Sequence, residues 1–294
     1  MKQRRIRVLL IILLVIINAL IVIQPTQSKE MLDVKAMIKQ MLDGRQRQIQ
    51  IPPLTQKHGS FSMEKAYHIQ DSMAREVSRI LGPVSGYKVA YASKAAQKQF
   101  GMDEPARGPF FMMQRLPSGS TLPVEAFNEI MLETEVAFTL GKRIYKPIKD
   151  VAALKSYVKW VHPAFDAGNF PYTTDQAKPT PQDMIAIGTG AHVFVLGPAV
   201  EPGKVDIDSI NLSLVRNGEK IRESPARDVM GSPWNSLLWC ANNLTRSGHV
   251  LEPGMVVLCG TAAPAYKVKG NEIKGVFEGG CGALGKVTLT ISPR

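Results

Sequence analysis

Strand-forming segments follow one another from residue 110 to residue 221, and this run constrains the fold more than any other feature of the chain. One helix, predicted at residues 151–160 behind a capping Asp150, interrupts it. Strands and helices therefore do not alternate as they do in chains built from βαβ units, which makes a doubly wound parallel sheet a poor fit. The pattern predicts a mixed α/β (α+β) fold, a mixed β-sheet roll with flanking helices.

Capping residues and apolar periodicity predict the other elements. Ser62 caps a helix that extends through Ile80, and Ser232 with Pro233 begins a helix that ends before Gly248. The remaining predictions are helices at 29–50 and 93–100, a loop at 101–108, and strands at 86–91, 131–140, 255–259 and 286–291. With 294 residues, 45% of them hydrophobic, the chain can bury a sizeable core in one large domain or two small ones.

The first 28 residues differ in composition from the rest of the chain. Residues 1–7 carry four basic side chains and no acidic one, and a largely apolar run follows at 8–23. This order is typical of a secretory signal peptide or an N-terminal membrane anchor. As a helix the apolar run extends about 24 Å, short of the about 30 Å hydrocarbon core, which favours a signal peptide. No A-x-A cleavage site follows it, so both interpretations stay open.

Either interpretation predicts export. The basic end stays in the cytoplasm and the folded part is periplasmic or otherwise extracytoplasmic, soluble after cleavage and membrane-anchored without it. The predicted organisation is a signal peptide or anchor at 1–28, a helix and linker at 29–60, and one large domain at 61–294.

Charge and cysteine content exclude some classes of protein. The formal net charge is +11, and +7 remains without the four basic residues of the export segment. The basic residues are scattered and lack interleaved aromatic side chains, so no nucleic-acid partner is expected. Cys240, Cys259 and Cys281 show no C-x-x-C spacing, which argues against a zinc site. An oxidising compartment would permit one disulfide among them, and three buried thiols are an equally good interpretation.

Two carboxylates point to chemistry. Glu133 and Glu135 lie two residues apart within the predicted strand 131–140, so they project from the same face. Like charges side by side repel each other unless a cation or a proton lies between them, and Mg²⁺ prefers carboxylate oxygens. A solvated acidic strand face is the alternative that this spacing alone leaves open.

Three segments in a fixed order carry a resemblance to a known family: GYKVAYASKAAQKQFGMDEPARGP from Gly86, ETEVAFTLGKRI from Glu133 and HPAFDAGNF from His162. Together with DMIAIGTGAHVFVLG, GSPWNSLLWCANNL and LEPGMVVLCGTAAP downstream, they resemble the 2-keto-4-pentenoate hydratase and 4-oxalocrotonate decarboxylase group of the fumarylacetoacetate hydrolase superfamily. The resemblance runs from about Tyr67 to the end of the chain. It implies a fumarylacetoacetate hydrolase C-terminal-like fold and a divalent-metal-dependent lyase, a hydratase or decarboxylase, that acts on a short 2-oxo or 2-hydroxydienoic acid.

The resemblance also implies which residues form the site. The metal ligands would be Glu133, Glu135 and Asp166, with Mg²⁺ or Mn²⁺ as the ion, since hard cations prefer oxygen ligands. Lys88 would be the catalytic lysine, which holds the substrate carboxylate or stabilises negative charge on the substrate. Thr189 is the nearest remaining hydroxyl to the family's substrate-facing serine and is expected to bind substrate. A homo-oligomer is implied as well, which a retained membrane anchor could limit.

The chain departs from the family pattern at residues 186–190, where AIGTG replaces a polar A-D-N-x-S run. Ile187 and Gly188 therefore predict a roomier and more apolar substrate pocket. Asn169 stands where the family often has Asp, and Asp166 is one methylene shorter than the family's Glu.

Some assignments stay open at the level of sequence. The loop at 101–108 is interpreted as a lid, in which Arg107 is either functional or simply solvated, and His192 is expected to be structural. One alternative function is a C–C bond hydrolase of the same superfamily, whose activating base would have to be His162, the histidine nearest the metal motif. The other alternative is an exported, catalytically silent relative that binds a small acid.

Overall fold

The computed structural model describes residues 33–268 and 274–293. The α-helices in these ranges are 33–47 (α1), Leu54–His58 (α2), Met63–Leu81 (α3), Lys94–Phe100 (α4), Val151–Lys155 (α5), Pro181–Ala186 (α6) and Pro233–Arg246 (α7). The strands are Val84–Ala90 (β1), Ala106–Phe111 (β2), Arg115–Pro117 (β3), Ser120–Pro123 (β4), Ile130–Leu140 (β5), Val158–Asn169 (β6), Val193–Leu196 (β7), Asn211–Arg216 (β8), Glu219–Pro225 (β9), Val256–Leu258 (β10), Tyr266–Lys267 (β11), Gly275–Gly280 (β12) and Lys286–Ser292 (β13).

The strands form two mixed sheets. The larger sheet has the order β2-β1-β10-β5-β6-β7-β3, and β11 pairs with the beginning of β5. Its pairs β1/β10 and β3/β7 are parallel and the others are antiparallel. The smaller sheet has the order β4-β13-β12-β8-β9, in which β4 and β13 are parallel. Parallel pairs are the minority in both sheets, so the fold is a mixed roll rather than a doubly wound one.

Apolar side chains of the two sheets meet in a shared core. Leu132 and Phe165 of the larger sheet and Phe277 and Leu289 of the smaller sheet are all fully buried. Each buried side chain of this size contributes about 1.5–3 kcal/mol relative to an exposed one. The sheets approach so closely that a Cβ on Gly279 would lie 2.8 Å from the ring of Phe165. The larger sheet therefore curls over the smaller one, which forms the predicted roll.

Helix α7 packs on the larger sheet with a stripe of apolar residues at helical spacing. Leu237 and Leu244 belong to the same buried cluster as Phe138 of β5, and the rings of Phe138 and Trp234 lie 4.4 Å apart. The Ser232 hydroxyl accepts a hydrogen bond from the Trp234 backbone N–H at 3.1 Å, which caps the helix as its sequence predicts.

Helices α1, α3 and α6 form a second packed layer with β2. Met41 of α1, Met73 of α3, Ile185 of α6 and Phe111 of β2 share one buried cluster. The layer holds the segment that follows α6, residues 187–192, against the larger sheet. This placement matters because the segment separates two cavities.

The structure confirms the mixed α/β roll and corrects three local predictions. Helix α5 ends at Lys155 and β6 begins at Val158, so the helix predicted at 151–160 is wrong in its second half. Pairing decides this, since residues 158–160 align with the end of β5. The predicted loop 101–108 already enters strand β2 at Ala106, and α6 lies inside the run that was predicted to be strands. The three cysteines are buried free thiols, so the disulfide is not formed.

Residues 1–32 lie outside the described ranges, and with them the predicted export segment and the start of the 29–60 unit. Within residues 33–268 and 274–293, no helix combines the length and the hydropathy that a membrane crossing requires. The domain division at residue 61 stays a prediction.

Candidate active site

Three carboxylates converge where β5 and β6 pair. The antiparallel register places Glu133 directly opposite Asp166, and the period of two along β5 puts Glu135 on the same face. One carboxylate oxygen from each of the three residues lies within 4.8 Å of the others. Glu135 and Asp166 are fully buried, whereas the Glu133 side chain keeps 22% of its surface exposed. The predicted ligand set is therefore brought together at one point, with Glu133 on its open side.

Lys88 reaches the same point from β1. It pairs with Leu258 of β10, and Leu258 in turn pairs with Ala137 of β5, so one strand separates Lys88 from the glutamate pair. The Lys88 ammonium forms an ion pair with Asp166 Oδ2 and lies 3.9 Å from Glu133 Oε2. The Lys88 side chain is 5% exposed. A buried ammonium with a carboxylate partner can hold or polarise an anionic substrate.

Glu135 is held by the backbone that follows β10. The Gly260 N–H donates a hydrogen bond to Glu135 Oε2 at 2.5 Å. Gly260 has a φ of 84°, and a Cβ there would lie 2.7 Å from the Cβ of Ala92 and 2.8 Å from the carbonyl oxygen of Val89. Only glycine fits this position without displacing β1. The tight approach of the two segments fixes the orientation of the Glu135 carboxylate.

Two carboxylate oxygens in this cluster have no hydrogen-bond partner among the residues that the structure describes, Glu135 Oε1 and Asp166 Oδ1. A buried polar atom without a partner is costly and is rare in folded proteins. Carboxylate oxygens are the ligands that Mg²⁺ and Mn²⁺ prefer. The donor set and its unpaired oxygens therefore fit a hard divalent cation.

Electrostatics agree with that fit. Burial raises the pKa of Glu133 to about 7, and burial with the neighbouring carboxylates raises the pKa of Glu135 well above its ordinary value. Burial also raises the pKa of Asp166. For Lys88, burial alone would lower the pKa, but the three carboxylates outweigh it and leave the pKa raised. When all three acids are ionised, Lys88 compensates only one of their charges, and the two negative charges in excess match a divalent cation.

A cavity of about 290 Å³ lies beside the cluster. Lys88, Glu133, Asn169, Thr189 and Thr261 provide polar groups at its wall. The remaining wall is largely apolar. It combines the large side chains of Phe100, Met131 and Met184 with the small side chains of Ala90, Ala92, Ala95, Ala96, Ala262, Ala263, Pro264 and Ala265. A polar end joined to an apolar wall is the usual form of a small-molecule site.

Thr189 lies in the wall of this cavity, and its role in substrate binding stays a prediction. It has a φ of 54° between Gly188 at 77° and Gly190 at 74°, three consecutive residues in the left-handed region. Such backbone is strained at a threonine and is found mainly where the surroundings enforce it. The Thr189 hydroxyl donates to the Gly188 carbonyl at 2.8 Å.

Ile187 and Gly188 were predicted to make the substrate pocket roomier and more apolar, but they do not line the candidate substrate pocket. Neither residue lines the cavity that contains Lys88 and Glu133, and both line a second cavity. The left-handed backbone at residues 188–190 turns Thr189 to one cavity and its two predecessors to the other. Their apolar character is therefore no argument about the substrate.

Two histidines take structural positions. His162 Nδ1 donates to the Gly197 carbonyl at 3.2 Å, and its Nε2 accepts from the Thr139 hydroxyl at 2.9 Å. Burial lowers the pKa of His162, and the residue does not line the site cavity. His192 packs edge-on against Phe127 at 4.7 Å and lines the second cavity.

Arg107 is not solvated, contrary to one of the two interpretations of the predicted lid. It is 1% exposed, and its guanidinium donates to Gln70 Oε1 at 2.7 Å and to Asp71 Oδ1 at 3.3 Å. The same guanidinium lies over the ring of Tyr67, 4.7 Å from the ring centre. Arg107 thus ties β2 to α3, and it does not line the site cavity.

Tyr91 and Gly260 belong to the site and were not predicted. Tyr91 lines the cavity directly after β1, has a φ of 57°, and packs against Phe100 with the ring centres 5.1 Å apart. Burial raises the pKa of its hydroxyl, and Lys88 partly offsets that effect. No sequence pattern marks Tyr91, because its place depends on a left-handed residue at the strand end. Gly260 could have been suspected from its position directly after a buried strand.

Comparison with known proteins identifies the family. The sequence profile of the fumarylacetoacetate (FAA) hydrolase C-terminal family matches residues 84–287. A 2-hydroxypent-2,4-dienoate hydratase of Pseudomonas putida is 30% identical over 200 residues, which cover 67% of this chain and 89% of that protein. A 2-keto-4-pentenoate hydratase of Paraburkholderia xenovorans (strain LB400) is 26% identical over 238 residues, which cover 81% of this chain and 87% of that protein.

Solved structures agree on the fold. A 4-oxalocrotonate decarboxylase from Pseudomonas putida G7, complexed with magnesium and adipate, superposes with a TM-score of 0.80 at 19% identity, covering 87% of this chain and 96% of that one. A fumarylpyruvate hydrolase from Pseudomonas aeruginosa, in complex with Mn²⁺ and pyruvate, has a TM-score of 0.53 at 16% identity, covering 72% of this chain and 91% of that one. Since the family profile spans most of the chain, including β5, β6 and Lys88, this protein belongs to the fumarylacetoacetate (FAA) hydrolase C-terminal family.

Proposed function

We propose that this protein is a divalent-metal-dependent lyase that adds water to, or removes CO₂ from, a short 2-oxo or 2-hydroxydienoic acid. One observation carries the proposal: Glu133, Glu135 and Asp166 meet Lys88 at the polar end of a cavity, with two buried carboxylate oxygens left unpaired. The similarity to proteins named as dienoate hydratases supports the choice of reaction and substrate class.

Glu133, Glu135 and Asp166 are the residues that would hold the ion, and Mg²⁺ or Mn²⁺ suits them equally. A divalent cation in this position supplies Lewis-acid chemistry, by which the carboxylate and carbonyl oxygens of a 2-oxo acid are polarised. Among the structural neighbours, the decarboxylase is complexed with magnesium and the hydrolase with Mn²⁺, which supports either ion here.

The protein's own groups orient the substrate and stabilise its charge. The Lys88 ammonium uses one N–H on Asp166 and has two others available for an anionic substrate oxygen. Tyr91 and Thr189 line the same wall. The Tyr91 hydroxyl can donate to a substrate oxygen or carry a proton. The Thr189 hydroxyl already donates to the Gly188 carbonyl, so it can accept a hydrogen bond from a substrate hydroxyl. The small apolar side chains around Ala92 and Ala263 exclude water from the substrate's tail.

The test is an assay of the purified full-length protein with Mg²⁺ or Mn²⁺ against 2-hydroxydienoates and 2-oxo acids. We expect turnover that EDTA abolishes and that either metal restores. Because the far wall is apolar, an alkyl-extended dienoate should have the higher kcat/KM, about fourfold for each further buried methylene at about 0.8 kcal/mol. A short substrate preferred by a wide margin would contradict this reading of the wall.

The two alternatives predict different results in the same assay. A C–C bond hydrolase needs a base that activates water, and His162 is engaged by Thr139 and Gly197 outside the cavity, which disfavours it. Release of pyruvate from an acylpyruvate would nevertheless establish that activity. Metal-dependent binding of the acids without turnover would establish the catalytically silent binder. A homo-oligomeric state stays a prediction, for which size-exclusion chromatography with light scattering is the measurement.

We also propose that the folded part is exported, from the basic residues 1–7 and the apolar run 8–23. A reporter that is active only outside the cytoplasm should work when fused after Arg294, and a cytoplasm-specific reporter should not. Carbonate washing then separates the two forms, since a cleaved protein is released and an anchored one stays with the membrane. Activity of the cytoplasmic reporter alone would contradict export.

A further inference from the structure

A second cavity, of about 280 Å³, lies next to the candidate active site. Its walls come from α1, α3, the end of β2 and residues 186–188 and 190–192. Asn169 and Gly190 line both cavities, whereas Lys88, Glu133 and Thr189 line only the first. The two spaces are therefore neighbours with a shared wall, and nothing in the proposed reaction uses the second one.

Most of the wall of the second cavity is apolar. Its larger apolar side chains include Met41, Ile51, Met73, Val77, Phe111 and Ile187. A space of this size lies just below the about 300–1,000 Å³ of drug-sized ligand sites, so it suits a small ligand. Because methionine side chains adapt to irregular shapes, such a wall suits a flexible apolar tail.

One positive charge faces this apolar space. Among the described residues that line the cavity, Arg45 of α1 is the one charged side chain, and none is acidic. Arg45 forms no ion pair and no side-chain hydrogen bond with the part of the chain that the structure describes. Burial lowers the pKa of Arg45, although a guanidinium stays protonated in proteins. A half-buried cation without a partner is costly, and an anion beside it would remove that cost.

The other titratable group at the wall does not compete for that anion. Burial lowers the pKa of His192 to about 4, so the imidazole is neutral at pH 7. The amide side chains of Gln48, Gln70, Asn128 and Asn169 also line the cavity. Both ends of the Gln70 amide are engaged with Arg107 and Ile185, and both ends of the Asn169 amide with residues 128 and 129. Since the amides are neutral, Arg45 is the group at this wall whose charge favours an anion.

From these observations we infer that the second cavity is a binding site for an amphiphilic monocarboxylate, a medium-chain fatty acid in its chemistry. The Arg45 guanidinium binds the carboxylate, and the side chains of Met41, Met73 and Phe111 enclose the tail. The site is separate from the metal cluster, so it holds whether or not the lyase activity proposed above is correct.

The probe is octanoate, with the full-length protein in EDTA so that no metal chelates the carboxylate in the first cavity. Calorimetry should show saturable binding of octanoate. Octanol has the same tail without the charge and should bind at least tenfold more weakly; acetate has the charge without the tail and should not bind measurably. Equal binding of octanol and octanoate, or no saturable binding of octanoate, would overturn the inference.

Variants locate the bound carboxylate. Arg45→Met keeps the length of the side chain and should weaken octanoate binding roughly 10- to 100-fold, the value of a charge-assisted hydrogen bond. Arg45→Lys should restore most of it. Arg47→Met removes an exposed charge from the same helix and is the matched control, with affinity expected within twofold of wild type.

Two further results separate this site from the active site. Glu135→Gln should bind octanoate as the wild type does, because Glu135 does not line the second cavity. Octanoate binding that requires Mg²⁺, or that Glu135→Gln abolishes, would place the ligand in the first cavity and contradict the inference. Circular dichroism of each variant establishes folding, and the comparison of three probes on the wild-type protein decides the question even if Arg45→Met fails to fold.

Discussion

Glu135→Gln is expected to abolish Mg²⁺ binding and turnover while the fold stays intact. The change removes one of the three carboxylate charges and almost no volume, and the amide oxygen can still accept the hydrogen bond from the Gly260 N–H. Loss of a residue that only hydrogen-bonds to a metal ligand lowers metal affinity by about 10–100-fold. Because Glu135 would itself be a ligand, we expect Mg²⁺ affinity to fall by at least roughly 10²-fold. Calorimetric titration with Mg²⁺ and the dienoate assay measure both effects.

The same variant should become more stable without metal. Burial raises the pKa of Glu135 well above its ordinary value, so at neutral pH the unfolded chain releases a proton more readily than the folded one. This pKa difference between the folded and unfolded states lowers the stability of the folded state as the pH rises. Glutamine does not titrate, so the substitution removes the effect. We therefore expect a higher Tm than wild type in EDTA at pH 8, and no rise in Tm on adding Mg²⁺.

Glu129→Gln is the matched control. Glu129 precedes β5 and forms an ion pair with Lys267, and it does not belong to the acidic cluster. Its variant should keep wild-type turnover and the wild-type rise in Tm with Mg²⁺. If Mg²⁺ raised the Tm of Glu135→Gln as much as that of the wild type, the ligand set would be wrong.

Lys88→Met is expected to lose activity and to gain affinity for the metal. Without its ammonium, a substrate oxygen loses a buried positive partner, and removal of one such group costs about 10²–10³ in kcat. The metal, in contrast, no longer competes with the ammonium for Asp166, so Mg²⁺ should bind more tightly. The opposite signs of these two effects distinguish a catalytic lysine from a merely structural one.

Stability should change in the same variant. The metal-free protein should lose about 3–5 kcal/mol at pH 8, since breaking a buried ion pair leaves the remaining charge uncompensated. Mg²⁺ should then recover much of the loss, with a larger rise in Tm than in the wild type. Urea unfolding with and without Mg²⁺ gives both numbers.

Lys98→Met on α4 is the control, because Lys98 is exposed and outside the cavity. It should leave kcat, stability and Mg²⁺ affinity unchanged. If Lys88→Met kept a kcat near that of the wild type, Lys88 would serve only to balance the charge of the carboxylates. Another group would then have to bind the substrate, and Tyr91 is the first candidate.

Local rules of the sequence determined part of this site. The two-residue spacing of Glu133 and Glu135 placed both on one strand face, because alternation along a strand depends on the backbone alone. The caps at Ser62 and Ser232 located the beginnings of α3 and α7 for the same reason, since a cap satisfies N–H groups within one turn. The resemblance added Lys88 and Asp166, which no local pattern connects to the glutamates.

Predictions from local sequence patterns were wrong where contacts between residues distant in sequence favoured a different structure. The Asp150 cap is real, yet its helix stops at Lys155 because the following residues pair with β5 instead. Arg107, predicted to be in a loop, is buried because α3 supplies Gln70 and Asp71 to satisfy it. These partners are distant in sequence, so no pattern around position 107 could predict them.

The sequence by itself determined the class of fold, the acidic face of β5 and, through its motifs, the family. Only the tertiary structure decided that Asp166 lies opposite Glu133, that Tyr91 joins the site, and that Ile187 and Gly188 face a different cavity from Thr189. The first result follows from strand register and the last from three left-handed residues, 188–190. Alternative strand registers and backbone conformations of a short segment differ in free energy by only about 1–3 kcal/mol. Contacts across the whole sheet and the packed core therefore decide which of them forms.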